Sequence, residues 1–324
     1  MNDLVNIKPH KVTSSPLDKI YLLYGEPGTR KTSVAVGDIE RTLLLAFEIG
    51  FKFIPGVYAI NMTSWVNLKQ TVRKLEDPDV KKKFKIAAID TIGLAYKACV
   101  AYICAQKGVS DIGDIPYGKG YRMAKDEFER VINKIPQAGY GLVMVAHSDE
   151  LDDEKNGVSV KVDIDKRPSS VIKGLADFIL YSRKEPKDEN TDEMTVYAYS
   201  ETNNPRIEVK KRARFFPKRI EFTYENLSKG LEIAITEQDK FFDTKSDVEP
   251  DFEVYQNTQD VNLEELQNEV VALVQQLIET EVREVTEITV RDTLPGVRIT
   301  KTTKNHIPAL FALREKLTNL KEGL

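Results

Sequence analysis

The residues best placed to do chemistry lie in KIYLLYGEPGTRKTSVAVGDI, residues 19–39, where a Gly-rich turn separates an apolar run from a helix-like one. The turn fits the pattern G-x-x-x-x-G-K-[ST] at Gly25, Lys31 and Thr32, with Arg30 standing where the pattern has its last glycine. Such a loop binds the phosphates of a nucleotide: backbone N–H groups of a tight turn wrap the anion, and the helix N-terminus that follows adds positive potential. The stretch Gly25, Glu26, Pro27, Gly28, Thr29, Arg30, Lys31, Thr32 and Ser33 is therefore expected to cradle ATP. Lys31 would reach the β- and γ-phosphates, and the Thr32 hydroxyl would ligate Mg²⁺. Gly28, after Pro27, supplies backbone freedom inside the loop. Arg30 either crowds the loop or turns its guanidinium toward the γ-phosphate. A plainer reading is a strand-to-helix turn that happens to contain Gly and Lys. The apolar run before it and the helix start after it favour the nucleotide.

A second group supports this chemistry. FKIAAID, residues 84–90, ends an apolar run on Asp90, and Thr91 follows. A carboxylate at a strand end beside a phosphate loop holds Mg²⁺ through water. Thr32 and Asp90 are thus the expected metal-site residues, although Asp90 or Thr91 could instead cap the next helix.

These residues need a scaffold that brings strand ends together. From Lys19 to about Tyr224, short β-rich runs alternate with amphipathic helical stretches. The expected strands are Ile20–Tyr24, Thr42–Phe47, Val57–Ile60, Phe84–Ile89, Leu142–Ala146, Asp177–Ser182 and Met194–Tyr199. The expected helices are Lys31–Ile39, Ser64–Glu76, Thr91–Lys107, Lys119–Pro136 and Ser169–Leu175. This alternation predicts an α/β fold, a mostly parallel central sheet with helices on both faces. The runs from Met194 to Phe222 have no helices between them and predict an antiparallel extension.

Residues 1–18 are polar and aperiodic and read as an arm; residues 19–239 form the expected core. Residues 240–261 are acidic and polar and contain Pro250, which suits a linker. Residues 262–324 read as a small, mainly helical region. Leu263, Leu266, Val270, Leu273, Val274 and Leu277 recur at helical spacing, and a last helix is expected at Ile307–Leu320. A region this small would need a partner or the core to pack on.

Bulk properties narrow the class. With 324 residues, 41% of them hydrophobic and 30% charged, the chain can bury a sizeable core and keep a solvated surface. No apolar run approaches the ~20 residues that span a bilayer, and MNDLVNIKPHKV lacks the apolar stretch of a signal peptide. Cys99 and Cys104 fall on different faces of one expected helix, which argues against a disulfide or a metal site. The expected location is the cytoplasm, that of a host cell if the gene is viral. A net charge of −4 argues against a wholly basic nucleic-acid coat but leaves room for a local basic surface.

Three further segments carry a resemblance. LLLAFEIG places Glu48 just past the second strand, GLVMVAHSDE places His147 just past a later one, and VKKRARFFPKRIEF holds Lys210, Lys211, Arg212 and Arg214. Over about Lys19–Tyr224 the chain resembles RecA-like recombinases. GEPGTRKT and the His-Ser pair look closer to the phage RecA-like single-strand annealing ATPases, the RecA-like branch of the Sak proteins. The resemblance implies that Glu48 activates the attacking water and that His147 senses the γ-phosphate. It implies that Lys210 and Arg212 reach the ATP of a neighbouring subunit, with ATP bound at subunit interfaces. It also implies single-stranded DNA as ligand, self-association into a filament or ring, and a single-strand DNA-binding protein as a possible further partner. DNA would run against two loops, residues 107–121 and 149–170, with Lys119, Tyr121, Lys166 and Arg167 as the contacts.

Each residue also has a bland reading. Glu48 is then a solvated carboxylate, His147 a satisfied polar residue at a strand end, and the basic run a solvated strand face. Asp149, Asp152, Asp153 and Glu154 would turn the second loop into a β-hairpin facing solvent. Trp65 and Tyr96 read as packing residues. The rival functions are a nucleotide-dependent, non-hydrolysing scaffold for replication or recombination partners, and a helicase-loader-like ATPase.

Overall fold

The computed structural model describes residues 12–153, 157–187, 192–242, 244–247, 263–280, 282–303 and 306–322. Residues 1–11 of the expected arm, Glu154, and residues 243 and 248–261 of the expected linker lie outside them. The chain divides into two compact units, Met1–Phe252 and Glu253–Leu324.

In the first unit the elements run β1 (Ile20–Gly25), α1 (Lys31–Ala35), β2 (Thr42–Ala46), β3 (Tyr58–Asn61), α2 (Trp65–Lys74), α3 (Pro78–Lys83), β4 (Ile86–Asp90), α4 (Ile92–Lys107), α5 (Lys119–Gln137), β5 (Gly141–Asp153), β6 (Gly157–Val162), α6 (Lys166–Leu175), β7 (Phe178–Pro186), β8 (Met194–Tyr199), β9 (Lys210–Lys211), β10 (Arg219–Glu221) and α7 (Tyr224–Phe242). Ten strands form one sheet in the order β10-β8-β7-β1-β5-β4-β2-β3, with β6 on β5 and β9 on β7. The pairs β1–β5, β1–β7, β4–β5, β2–β4 and β2–β3 are parallel. The remaining pairs, β7–β8, β8–β10, β7–β9 and β5–β6, are antiparallel. The result is a mixed α/β core with a mostly parallel central sheet flanked by helices, as the alternation of elements predicts.

The parallel strands are continuous apolar runs because both faces of the sheet are covered. Every residue of β2, TLLLA, and of β4, IAAID, is buried. Alternation then divides each strand between two cores. Leu22, Tyr24, Leu43, Leu45, Ala87 and Ile89 face one layer, where they meet Trp65 and Leu68 of α2, Tyr96 and Cys99 of α4, and Phe128 and Ile132 of α5. Tyr21, Leu23, Leu44, Ala46, Ile86 and Ala88 face the other, where they meet Val34 and Ala35 of α1 and Leu227 and Leu231 of α7. Trp65 and Tyr96 are thus core residues, at 1% and 3% exposure. Both cysteines are buried and free.

Several expected boundaries move. Helix α1 stops at Ala35 rather than Ile39, and just beyond it Gly37 lies against Tyr224 so closely that a Cβ there would sit 2.2 Å from that side chain. Helices α3 and α7 were not expected. The first is started by Asp77, whose side chain accepts from Asp79 N, and the second buries Leu227, Leu231, Ala234 and Ile235 on one stripe. The segment 149–170 is no long loop. β5 continues through His147 to Asp153 and pairs with β6, and α6 starts at Lys166 with Asp165 as its cap. His147 therefore lies within a strand rather than just past one. The first loop is also largely ordered: Ile112 and Ile115 are buried and α5 begins at Lys119.

The second unit holds α8 (Leu263–Ile278), α9 (Arg283–Thr293) and α10 (Ile307–Glu322). Leu266, Val270, Leu277, Leu294, Leu310, Leu313 and Leu317 form a core of its own. The expectation that this region needs an outside surface to pack on is corrected, since its helices bury their leucines against one another.

Candidate active site

The phosphate loop is built between β1 and α1. Gly25, the last residue of β1, sits against β7 with no room for a side chain: a Cβ would lie 2.0 Å from the Ser182 carbonyl oxygen. The loop is braced from that side. Thr29 Oγ1 is 2.9 Å from Ser182 Oγ and donates to Glu26 O at 2.7 Å, while Ser182 Oγ donates to Tyr24 O at 3.1 Å. Ser182 was not singled out in the sequence; no motif marks it, and only the β1–β7 register, Gly25 beside Ser182, brings it here.

Lys31 opens α1 and is only 6% exposed. Its ammonium donates to Gly25 O at 2.9 Å, Glu26 O at 2.6 Å and Thr29 Oγ1 at 3.3 Å. Burial pushes it down to about 8, against the opposing pull of Asp90, Glu48 and Glu26. A cation held this way lacks a full counter-charge, and a phosphate in the loop would supply one.

Arg30 holds the position where the loop pattern has glycine, and the backbone keeps the glycine-like form: φ is 59° and ψ 15°, in the left-handed region. The side chain is exposed, so it does not crowd the loop. The conformation costs an L-residue roughly 1–2 kcal/mol. The arginine thus replaces glycine at an energetic cost while the shape of the loop is retained.

The Thr32 hydroxyl donates to Asp90 Oδ2 at 2.6 Å. Asp90 ends β4 at 4% exposure; burial raises its carboxyl above the ordinary value, and the Thr32 hydrogen bond works against that. Thr91, not Asp90, caps α4, with its side chain accepting from Leu94 N. That leaves the Asp90 carboxylate free of a capping duty. Hydroxyl and carboxylate oxygens beside a phosphate loop are the hard donors that Mg²⁺ takes, with phosphates and water completing its shell. Among the described residues no cluster of three or more His, Cys, Asp or Glu side chains offers an all-protein metal cage.

Glu48 reaches the same place by backbone geometry. The Asp90 carbonyl accepts from Phe47 N at 2.6 Å and Glu48 N at 3.0 Å, so the exit of β2 is tied to the end of β4. The Glu48 carboxylate then lies 3.2 Å from His147 Nε2. Both side chains are partly open to solvent, at 44% and 36%. Nδ1 of His147, in contrast, is buried without a partner among the described residues. β5 lies between β1 and β4, so His147 stands between the phosphate loop and Asp90. Lys31, Thr32, Asp90, Glu48 and His147 therefore meet at one edge of the sheet.

Lys210 and Arg212 are elsewhere. β9 pairs with β7 at Phe178 and Ile179, the start of that strand. Phe178 lies beside Tyr21 and Ser182 beside Gly25, so at ~3.3 Å per residue these cations are on the order of 13 Å or more from their own loop. Lys210 Nζ donates to Lys173 O at 2.8 Å and Arg212 Nη2 to Gly174 O at 3.1 Å, which satisfies carbonyls at the C-terminus of α6. Arg212 also pairs with Asp177 at 3.3 Å. Arg214 packs instead over Phe215 and Phe241.

Lys119 and Lys166 are the first residues of α5 and α6, and both are exposed. The Arg167 guanidinium lies 3.7 Å over the Tyr121 ring, so these two are brought together. A cavity of about 400 Å³ adjoins Tyr121 and is lined among others by Thr91, Tyr96, His147 and Asp165. His147 and Tyr121 thus line one cavity. In the β5–β6 hairpin, Glu150 accepts from the Tyr181 hydroxyl at 2.9 Å.

A family model described as AAA domain matches residues 18–218. The chain is also similar to the SPbeta prophage-derived uncharacterized protein YorG of Bacillus subtilis (strain 168), at 24% identity over 325 residues that cover 98% of each chain. No helix among the described residues is long and apolar enough to cross a membrane.

Proposed function

The chain belongs to the AAA domain family of P-loop ATPases, and from that premise we propose a Mg²⁺-dependent ATP hydrolase that assembles on single-stranded DNA and promotes annealing or strand exchange, in the manner of the phage RecA-like group. The observation that carries the reading is the meeting of Lys31, Thr32, Asp90, Glu48 and His147 at one edge of the sheet. Lys31 offsets charge on the transferring phosphoryl group. Thr32 and Asp90 would hold Mg²⁺, which when bound draws charge from the phosphate oxygens. Glu48 positions the attacking water as a hydrogen-bond acceptor, and His147 reads the presence of the γ-phosphate through its contact with Glu48.

Lys210 and Arg212 lie too far from their own loop to serve it, so in this reading they act on the ATP of a neighbouring copy in a filament or ring. Lys119, Tyr121, Lys166 and Arg167 form the DNA-facing surface. Lysines at two helix N-termini suit phosphate contact, and a tyrosine stacked on arginine suits a base. The prophage origin of the similar protein supports action in the cytoplasm of a bacterial host. A single-strand DNA-binding protein is the further partner that this reading expects there. The test is ATP turnover measured with and without single-stranded DNA. Turnover that rises with DNA supports the reading. ATP binding without turnover under either condition points to a nucleotide-dependent scaffold, and DNA-independent turnover points to a loader-like ATPase.

A further inference from the structure

Strand β7 flanks the phosphate loop, and its alternation assigns its side chains to two faces. Phe178 and Leu180 point into the core layer that holds α1, while Ile179 and Tyr181 point into the other. Ser182 continues the first series and braces Thr29. Lys184 is the next residue of that series. Its ammonium lies 3.6 Å from where a Cβ on Gly28 would be, so it stands directly over the middle of the phosphate loop. Glu26, Pro27 and Gly28 form the exposed lip of that loop, and Lys184 is itself exposed.

The neighbouring charges do not occupy it. Arg183 and Glu185, on the opposite face of the strand, pair with each other at 2.9 Å, and Arg219 joins Glu185 at 2.9 Å. Lys184 has no hydrogen bond or ion pair among the described residues. A lysine that only solvates a strand end has no reason to sit over a glycine loop whose function is to bind anions. Here the strand register fixes its location, since Ser182 two residues earlier is locked to Tyr24 and Thr29.

We infer that Lys184 is a phosphate-binding residue acting in the same chain: a second cation that meets the nucleotide's polyphosphate from outside the loop while Lys31 meets it from within. The inference rests on the reading of residues 25–33 as a nucleotide loop. It adds a cation that the loop pattern does not contain, from a strand 150 or so residues further along the chain. It also gives the loop a device that needs no second subunit, in contrast to Lys210 and Arg212. Because ammonium and phosphate interact as a charge-assisted hydrogen bond open to solvent, the contribution should be moderate and salt-sensitive.

The experiment measures ATP and ADP affinity by calorimetry, and ATP turnover, for the parent, Lys184→Ala, Lys184→Gln, Lys184→Arg and Lys31→Ala, each checked by thermal melting. Lys184→Ala and Lys184→Gln should lose on the order of tenfold in ATP affinity, as expected for one charge-assisted hydrogen bond, with an unchanged melting temperature. Lys184→Arg should restore most of the affinity. The salt dependence of ATP affinity should be shallower in the Ala and Gln variants than in the parent. A Lys184→Ala protein within twofold of the parent in both affinity and turnover overturns the inference, as does failure of Lys184→Arg to restore a loss seen in Lys184→Ala. If the parent itself, like Lys31→Ala, binds neither nucleotide, the loop reading fails, and that result is distinct from a Lys184 effect of zero in a parent that binds.

Discussion

At the start of β7, Lys210 and Arg212 donate to the carbonyls that end α6, and Arg212 is paired with Asp177, which in turn accepts from Ile20 N. At the far end of the same strand and its neighbours, and among the described residues, Lys31 is buried with only neutral oxygens at hydrogen-bond distance, His147 keeps a buried nitrogen without a partner, and Lys184 stands unpaired over a glycine. Both ends are rich in charge, but one end spends its charges on structure and the other holds them in reserve. Charge satisfaction, more than charge itself, separates a brace from a site that awaits a ligand.

The largest effect that would sharpen this contrast comes from the site end. Lys31→Ala should abolish ATP turnover, and Glu48→Gln should lower it by about a hundred- to a thousandfold while ATP affinity stays within a few-fold of the parent. Single-turnover hydrolysis with direct binding measurements checks both. Parent-like turnover in either variant would remove that residue from the mechanism.

The opposite end gives the next effect. If Lys210 and Arg212 serve only as braces, Lys210→Ala/Arg212→Ala should lose about 0.5–1.5 kcal/mol of stability, small because Arg212 is mostly exposed, and keep its turnover per folded molecule. If they also act on a neighbour's ATP, turnover should fall well beyond the loss of folded protein. Mixing with Lys31→Ala should then restore part of it, because some interfaces combine an intact loop with intact cations. Denaturant titration and mixed-variant assays, after co-assembly is established by sedimentation, decide between the two. Rescue would break the contrast between the two ends by giving the brace end a second duty.

A third test reads the unsatisfied state of Lys31 directly. Its folded value of about 8 lies below the unfolded lysine value of 10.5, so between these two pH values the unfolded chain carries the extra proton. Stability of the nucleotide-free protein should therefore rise as pH goes from about 8 toward 10.5, by up to a few kcal/mol, and Lys31→Met should flatten that rise. Nucleotide binding near pH 8.5 should take up a proton as phosphate restores the ammonium. Calorimetry in two buffers of different ionisation enthalpy reads that uptake, and its absence would mean that Lys31 does not meet the phosphate.

The smallest effect concerns Arg30. Arg30→Gly removes left-handed strain of roughly 1–2 kcal/mol and adds about 0.5–1 kcal/mol of unfolded-chain entropy, so a net gain of about 1 kcal/mol is expected. A loss of stability on chemical denaturation would show that the Arg30 side chain does more than tolerate its position.

Much of the core was legible because parallel strands buried on both faces must be continuous apolar runs, and TLLLA and IAAID are such runs. The phosphate loop was legible because its chemistry is local in sequence. Lys184 and Ser182 were not, since their place depends on a strand register between residues about 160 apart. Helix α7 carries a readable stripe, Leu227, Leu231, Ala234 and Ile235, but it leads directly into an acidic stretch whose composition suits a linker. Helix α9 is harder: REVTEITVRDT is rich in β-branched residues, and its buried residue is Thr286, so no apolar period marks it.

β5 runs without a break from Gly141 to Asp153 and carries His147 near its middle. If the paired strand moves as one piece, it is the spoke of a wheel, with the β1 and β4 pairings as the hub and the β5–β6 hairpin as the rim. Six residues at ~3.3 Å each put Asp153 on the order of 20 Å from His147, and a tilt of about 5° at the hub sweeps the rim through about 2 Å. The hairpin thus needs no joint of its own to follow what happens at the imidazole.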